Sequence, residues 1–437
     1  MINQKLLPLT LLAILPWPLT SMAANNDSEQ TVTQEKIKQL EQRIEELEQT
    51  NEDTQDTVEQ LQVDVSQQGN TKAANTFNPG IGVVLNGRFI DTSNNFQYDL
   101  PGAFHAADIG PGSNGLQLGE SELNMSANVD DKFFASSTIS FGEGSDVEEA
   151  FLQTLDMGHG FNAKFGRFFS SIGYLASKHT HTDDFANRPL PYEQFLGGQF
   201  GDDGIQATWI APTELYWESG AEFYRGDSFP AAGAAHGGKG VWTAFTHVGG
   251  DIGQTSSWRA GLSYLNAKVN QRPGDNSETF SGDSTLWIAD FIYKWAPDGN
   301  RADREFKLQG EYLSRREDGR FTSGNPVDAE ANYKGDGNGW YLEGVYRFAR
   351  QWRVGLRTSR LKENVDPIAL SSGTLFNPSS SPVRQHSVMV DWSNSEFSRI
   401  RLQYDNNDLN STSGKNSDDV WVLQYIAAFG AHGAHSF

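Results

Sequence analysis

The densest run of side chains able to do chemistry is Lys178-His179-Thr180-His181-Thr182-Asp183-Asp184, with Tyr192 and Glu193 following shortly after. Imidazole is a borderline ligand and carboxylate a hard one. Alternate histidines followed by two aspartates thus offer the donors that zinc takes when thiolates are absent. The chain has no cysteine, which excludes thiolate metal sites and a disulfide framework. His179, His181, Asp183 and Asp184 are therefore the primary candidate metal ligands. The competing reading of the same spacing is a polar surface loop with incidental histidines.

A second pair, His432 and His435, lies in Gly430-Ala431-His432-Gly433-Ala434-His435-Ser436-Phe437. On a regular strand, positions three apart point to opposite faces. This pair shares a metal only if the chain bends at Gly433, so a structural role is the favoured reading. Asp227, His236 and His247 add ligands only if the fold gathers them. No catalytic constellation is present: there is no thiol nucleophile, no Gly-x-Ser-x-Gly elbow and no phosphate-cradling glycine loop. The expectation is a non-enzyme without a bound cofactor, with zinc as a transported ligand.

The elements that must position these residues are strands. From Pro79 to Phe437 the chain divides into sixteen amphipathic segments starting near residues 79, 116, 131, 146, 161, 203, 214, 240, 255, 283, 302, 337, 351, 383, 396 and 418. Short connectors such as Val129-Asp130 and Pro212-Thr213 alternate with long polar ones: Thr92 to Gly115, Ser171 to Asp202, Arg316 to Asp336. Trp340, Leu342, Gly344, Tyr346 and Phe348 alternate with Tyr341, Glu343, Val345 and Arg347; Ile400, Leu402 and Tyr404 alternate with Arg399, Arg401, Gln403 and Asp405. Such a period of two, with connectors alternating short and long, predicts an all-β transmembrane barrel of about 16 antiparallel strands in a bacterial outer membrane. The aromatic content of 12% suits interfacial girdles. The inward Arg347, Glu343, Arg399, Arg401 and Glu311 would set the transverse field of a channel, or brace its wall.

The preceding residues divide into three parts. Residues 1–23 read as a signal peptide: Lys5, an apolar Leu6 to Leu19, and Ser21-Met22-Ala23 as the cleavage site. Residues 24–68 are expected to form a periplasmic coiled-coil helix, with Ile37, Leu40, Ile44, Leu47, Val58, Leu61 and Val65 on the seam. A solvated arm is the alternative. Residues 69–78 form a linker, and 79–437 the barrel. The formal charge of -22 makes nucleic acid an improbable partner and favours cations in the pore. The expected partners are outer-membrane lipid and lipopolysaccharide, and a small ion or solute.

Phe77-Asn78-Pro79-Gly80-Ile81, Leu118-Gly119-Glu120-Ser121-Glu122-Leu123-Asn124, Gly166-Arg167-Phe168-Phe169, Gly201-Asp202-Asp203-Gly204 and Gly430-Ala431-His432 resemble phrases of the zinc-regulated, TonB-associated outer-membrane receptors. That family is similar in layout to phosphate-type porins with an N-terminal helix. The resemblance implies uptake of zinc or a zinc complex, and a periplasmic TonB-type partner for which Glu29-Gln30-Thr31-Val32-Thr33 would be the contact. A plug domain of the usual TonB-dependent kind is missing from the pattern. Likeness to porins further implies a homotrimer and a third external loop, Ser171 to Asp202, folded into the pore. A general or anion-type porin and a structural or adhesive barrel are the alternatives.

Overall fold

The computed structural model describes residues 79–430 apart from 94–99, 103, 105, 107–109, 143, 232–239, 275–276, 325–326, 370–374, 377–380 and 412–413. The signal, heptad and linker segments, His236, His432 and His435 lie outside the described residues.

The barrel begins with β1 (Gly80–Thr92) and β2, one strand in two pieces (Gly115–Leu118 and Ser121–Asn128). Then come β3 (Phe133–Phe141), β4 (Ser145–Thr154), β5 (Phe161–Phe169), β6 (Gly201–Ile210), β7 (Tyr216–Tyr224) and β8 (Val241–Ile252). The longer strands are β9 (Ser256–Pro273), β10 (Thr279–Trp295), β11 (Glu305–Gly324), β12 (Val327–Ala349) and β13 (Trp352–Val365). β14 (Val383–Ser395), β15 (Ser398–Ser411) and β16 (Gly414–Gly430) complete the chain order. Every neighbour is antiparallel, and β16 pairs back onto β1 from Gly82↔Gly430 to Thr92↔Val420. The sheet is therefore a closed barrel of 16 strands. Closure leaves no edge strand with unpaired backbone groups, the condition for a sheet to cross a bilayer.

Alternation decides which side chains face inward. On β12, Trp340, Leu342, Tyr346 and Phe348 are exposed to the outside, while Tyr341, Glu343 and Val345 are buried in the lumen. On β15, Ile400 and Leu402 face out while Arg401, Gln403 and Asp405 are buried. The two faces read from the sequence are those of the barrel wall.

One boundary is corrected. Arg316 to Asp336, expected as a long loop with the next strand near 337, is instead paired strand on both sides, β11 running to Gly324 and β12 starting at Val327. Its polar residues pair across the strands, Arg316 with Asp336 at 3.0 Å and Arg320 with Glu330 at 2.9 Å. A membrane crossing needs only about 9–11 residues per strand, and β12 has 23. The surplus stands in water, where an apolar outer face is unnecessary and hydrophobic patterning no longer marks a strand.

The segment between β5 and β6, expected as the third external loop, enters the barrel. Ile172, Tyr174, Leu175, Leu190, Tyr192, Phe195 and Leu196 are buried there against inward Leu265, Ile288, Leu313, Tyr341 and Leu361. Its short helix of about two turns, α1 (Leu190–Leu196), starts after Pro189 in an extended conformation and carries Pro191 in its first turn, where no backbone N–H is needed. It stops at Gly197, whose φ of 64° is left-handed and whose N–H reaches Tyr192 O. Glu311 on β11 fixes the loop: its carboxylate accepts the Tyr192 hydroxyl at 2.9 and 3.0 Å, the Tyr341 hydroxyl at 2.6 Å, and the backbone N–H groups of Tyr174 and Leu175 at 3.1 and 3.2 Å.

Candidate functional site

The in-folded loop carries His179-Thr180-His181 to the opposite wall, built by β1 to β4, where four glutamates meet it. His181 Nδ1 lies 2.6 Å from Glu122 Oε1. His179 Nδ1 lies 3.2 Å from Glu122 Oε2 and 3.3 Å from Glu148 Oε2, and its Nε2 is 3.1 Å from Glu149 Oε2. Thr180 donates its hydroxyl to Glu120 at 3.0 Å. The two imidazoles are 5.7 Å apart between ring centroids, and Phe169 packs edge-on against His179 at 5.1 Å.

Two irregularities of the sheet put these carboxylates in one place. Opposite β1, Gly87 pairs with Leu118 and Val84 with Glu122, so three residues of β2 face two of β1. Leu118 points outward and Glu122 inward, although residues four apart in a regular strand share a face. Between β3 and β4, Thr138 pairs with Glu149 but Ile139 with Val147, leaving Glu148 as the extra residue of a bulge. Bulges re-aim side chains; here the result is that two consecutive glutamates both reach His179.

Of the residues singled out by spacing, the fold brings His179 and His181 together with Glu122. It leaves Asp183 and Asp184 elsewhere: Asp183 pairs with Arg188 at 2.7 Å, and Asp184 with Arg353 at 2.7 Å and with Lys307. Asp184 ties the loop tip to the far wall, while the Asp183–Arg188 pair lies within the loop itself. His247 lies 3.5 Å from Glu218 and 3.8 Å from Asp290, while Asp227 is engaged by Arg225 at 3.0 Å. Glu120, Glu122, Glu148 and Glu149 escaped the sequence reading. The available signals were the Gly119 break within a strand and a Glu-Glu pair that violates period two.

One donor atom each from Glu122, His179 and His181 lie within 4.8 Å of one another, as do those of Glu120, Glu122 and Glu148. The first set joins two nitrogens with an oxygen, which suits zinc; the second is all oxygen and suits harder cations. Burial alone would depress the His179 imidazole, but the carboxylates of Glu122, Glu148 and Glu149 outweigh it and hold the ring well above the usual histidine range. Burial would likewise raise Asp184, yet Lys307 and Arg353 hold its carboxyl below the usual range.

A cavity opens on each side of the cluster. The outer one, about 490 Å³, is bordered by Glu120, Arg88, Asp146 and Ser140 near the connectors after β1 and β3. The other, about 1030 Å³, lies at the end of the short turns and is bordered by His181, Arg347, Arg350, Arg353 and Arg399.

No family model matches the chain. Among solved structures it is similar to OmpT of Vibrio cholerae in its trimer form (TM-score 0.51, 11% identity, 80% of this chain and 99% of that one). It is also similar to the outer membrane channel DcaP of Acinetobacter baumannii (TM-score 0.51, 15% identity, 80% and 96% covered) and to OprB of Pseudomonas putida (TM-score 0.50, 11% identity, 82% and 96% covered). These likenesses establish a porin-like outer-membrane barrel fold. An uncharacterised protein of Aquifex aeolicus (strain VF5) is 31% identical over 340 residues, covering 74% of this chain and 70% of that protein. The chain belongs to the family of that Aquifex protein.

Proposed function

We propose that the protein is an outer-membrane channel for small solutes that admits divalent cations, zinc best among them, through the Glu122–His179–His181 cluster. The observation that carries this reading is the convergence of two imidazoles and a shared carboxylate at the point where the in-folded loop meets the wall. A hydrated cation entering the outer cavity first meets Glu120 and Asp146, whose charge concentrates it locally. It then exchanges water for the carboxylate and imidazole donors. Occupancy has to be brief, because a channel site must release what it binds. A homotrimer and a TonB-type periplasmic partner belong to the same proposal; the stretch that would contact the latter, residues 29–33, lies outside the described residues.

The second reading is a general or anion-type porin, and the arginine-bordered cavity favours it. Growth under zinc chelation separates the two. A deletion strain should be rescued by the wild-type chain and not by His179→Ala combined with His181→Ala; equal rescue by both removes the metal reading. In planar bilayers zinc should block or reshape the current of the wild type only, whereas strong anion preference indifferent to zinc supports the second reading.

A further inference from the structure

His181 belongs to two environments at once. Its Nδ1 faces the Glu122 carboxylate, and the residue borders the large cavity with Arg347, Arg350, Arg353 and Arg399. Arg399 donates to the carbonyl of the same residue at 2.7 Å. The metal cluster and the arginine cavity are therefore contiguous.

The four guanidiniums are not equivalent. Arg353 is neutralised by Asp391 and Asp184, and Arg350 holds Asp303 at 3.2 Å. Among the described residues, the hydrogen bonds of Arg347 and Arg399 run to backbone carbonyls, Arg350 O at 2.9 Å for the first, and His181 O at 2.7 Å and Asp183 O at 3.4 Å for the second; Glu305 stands opposite Arg347 across the strand pair without an ion pair to it. Arg347 Nε is buried without a hydrogen-bond partner among the described residues. Glu396 is the single acidic side chain bordering the cavity among them. Two cationic heads thus face a space of about 1030 Å³, large enough for a small organic ligand.

A bare cation leaving the cluster would meet this positive field and be repelled. A free polyanion would fill the cavity but make no use of the imidazoles beside it. A metal that carries its own negatively charged chelator satisfies both halves. We infer that cluster and cavity form one composite site for the anionic complex of a divalent metal with a polycarboxylate, the metal at Glu122, His179 and His181 and the free carboxylates at Arg347 and Arg399. This rests on the metal reading proposed above and specifies the form in which the metal, having entered as a bare cation, is passed on from the cluster.

Calorimetric titration of the full-length protein in detergent tests it, with zinc chloride, trisodium citrate, and zinc with citrate at equal concentration as the three probes. The equimolar mixture should bind about 100-fold more tightly than zinc chloride alone, roughly tenfold for each of the two charge-assisted contacts. Arg347→Gln should cut that gain about tenfold while zinc chloride still binds, and Arg399→Lys, which keeps a charge near the loop carbonyls, should cut it less. Zinc chloride binding that citrate does not improve overturns the composite site and spares the metal reading. Citrate binding that is equal with and without zinc also overturns it, by making the cavity an independent anion site. Failure of zinc chloride to bind in any form overturns the metal reading itself.

Discussion

Between β2 and β4 the strands are short, with 10 residues in β4 and 9 in β3, and the ladder breaks register at Glu148 and again opposite Leu85 and Asn86. Between β9 and β12 they run from 17 to 23 residues; pairing from Thr279 to Trp295 against β11 is unbroken, and the register shifts of the flanking ladders, at Val269/Arg272 and Ser323/Gly324, fall near the outer strand ends, away from Glu311 and Lys307. The first arc presents glutamates to the loop histidines; the second presents the groups that hold the loop in place. Regular pairing supplies a rigid anchor, and its fixed alternation cannot put two consecutive side chains on one face. A bulge can, at the loss of part of the ladder. The candidate site sits on the irregular arc and its support on the regular one, the division expected when a loose geometry must be positioned by a stiff scaffold.

The most severe way to break this division is at the anchor. Glu311→Ala leaves two buried tyrosine hydroxyls and two loop N–H groups without their shared acceptor. The expected loss is about 3 kcal/mol or more, since each unsatisfied buried donor costs roughly 1–3 kcal/mol. The barrel itself should persist, because its strands are paired independently of the loop. Protease nicking confined to residues 171–200, with an unchanged heat-modifiable barrel band, is the expected result. Loss of the barrel band together with the loop would show that the loop core is needed for the wall.

A milder intervention acts on the irregular arc. Deleting Glu148 removes the extra residue and lets β4 pair with β3 in one register. Folding should be retained, since the ladder becomes more regular. Zinc binding should weaken roughly 10–100-fold, the usual loss when the groups that orient metal ligands are removed, because one of the three carboxylates around His179 is gone and Glu149 must re-aim. Unchanged binding would mean that the bulge serves the sheet and not the cluster.

The same contrast explains what was legible in the sequence. The wall could be read because lipid and lumen impose a period of two, and most segment starts fell within a few residues of the observed strands. The Arg316 to Asp336 stretch could not, because strands outside the bilayer have water on both faces and lose the apolar stripe. At the site, His179 and His181 stood out by type and spacing. Asp183 and Asp184 had equal chemical credentials, and only the fold decides that they meet Lys307, Arg353 and Arg188. The four glutamates, two at the break in β2 and two on β4, converge only through two register breaks, which Gly119 and the Glu148-Glu149 pair mark in the sequence without saying where the side chains go.

The gentlest test uses protons. Asp184 ties the loop to the regular arc through Lys307 on β11, and to the next strand beyond it through Arg353 on β13. Burial opposes its charge and those two cations overcome the opposition, so its folded-state carboxyl titrates below the ordinary value of 3.8. A depressed folded pKa gives stability that is fully present above the unfolded value and is lost as pH falls through and below it. Loop protection against proteolysis should therefore be flat from neutral pH down to about 4 and decline below that in the wild type. Asp184→Asn should lower protection by about 1–2 kcal/mol at neutral pH, since its two contacts, to Lys307 and Arg353, lose their charge assistance but keep an amide oxygen as acceptor, and Arg353 keeps Asp391. It should also flatten the acid limb, because the variant has no proton to take up at that position. An acid limb that survives unchanged in Asp184→Asn would assign it to the glutamates around His179, and would mean that the irregular arc, not the regular one, governs how firmly the loop is held.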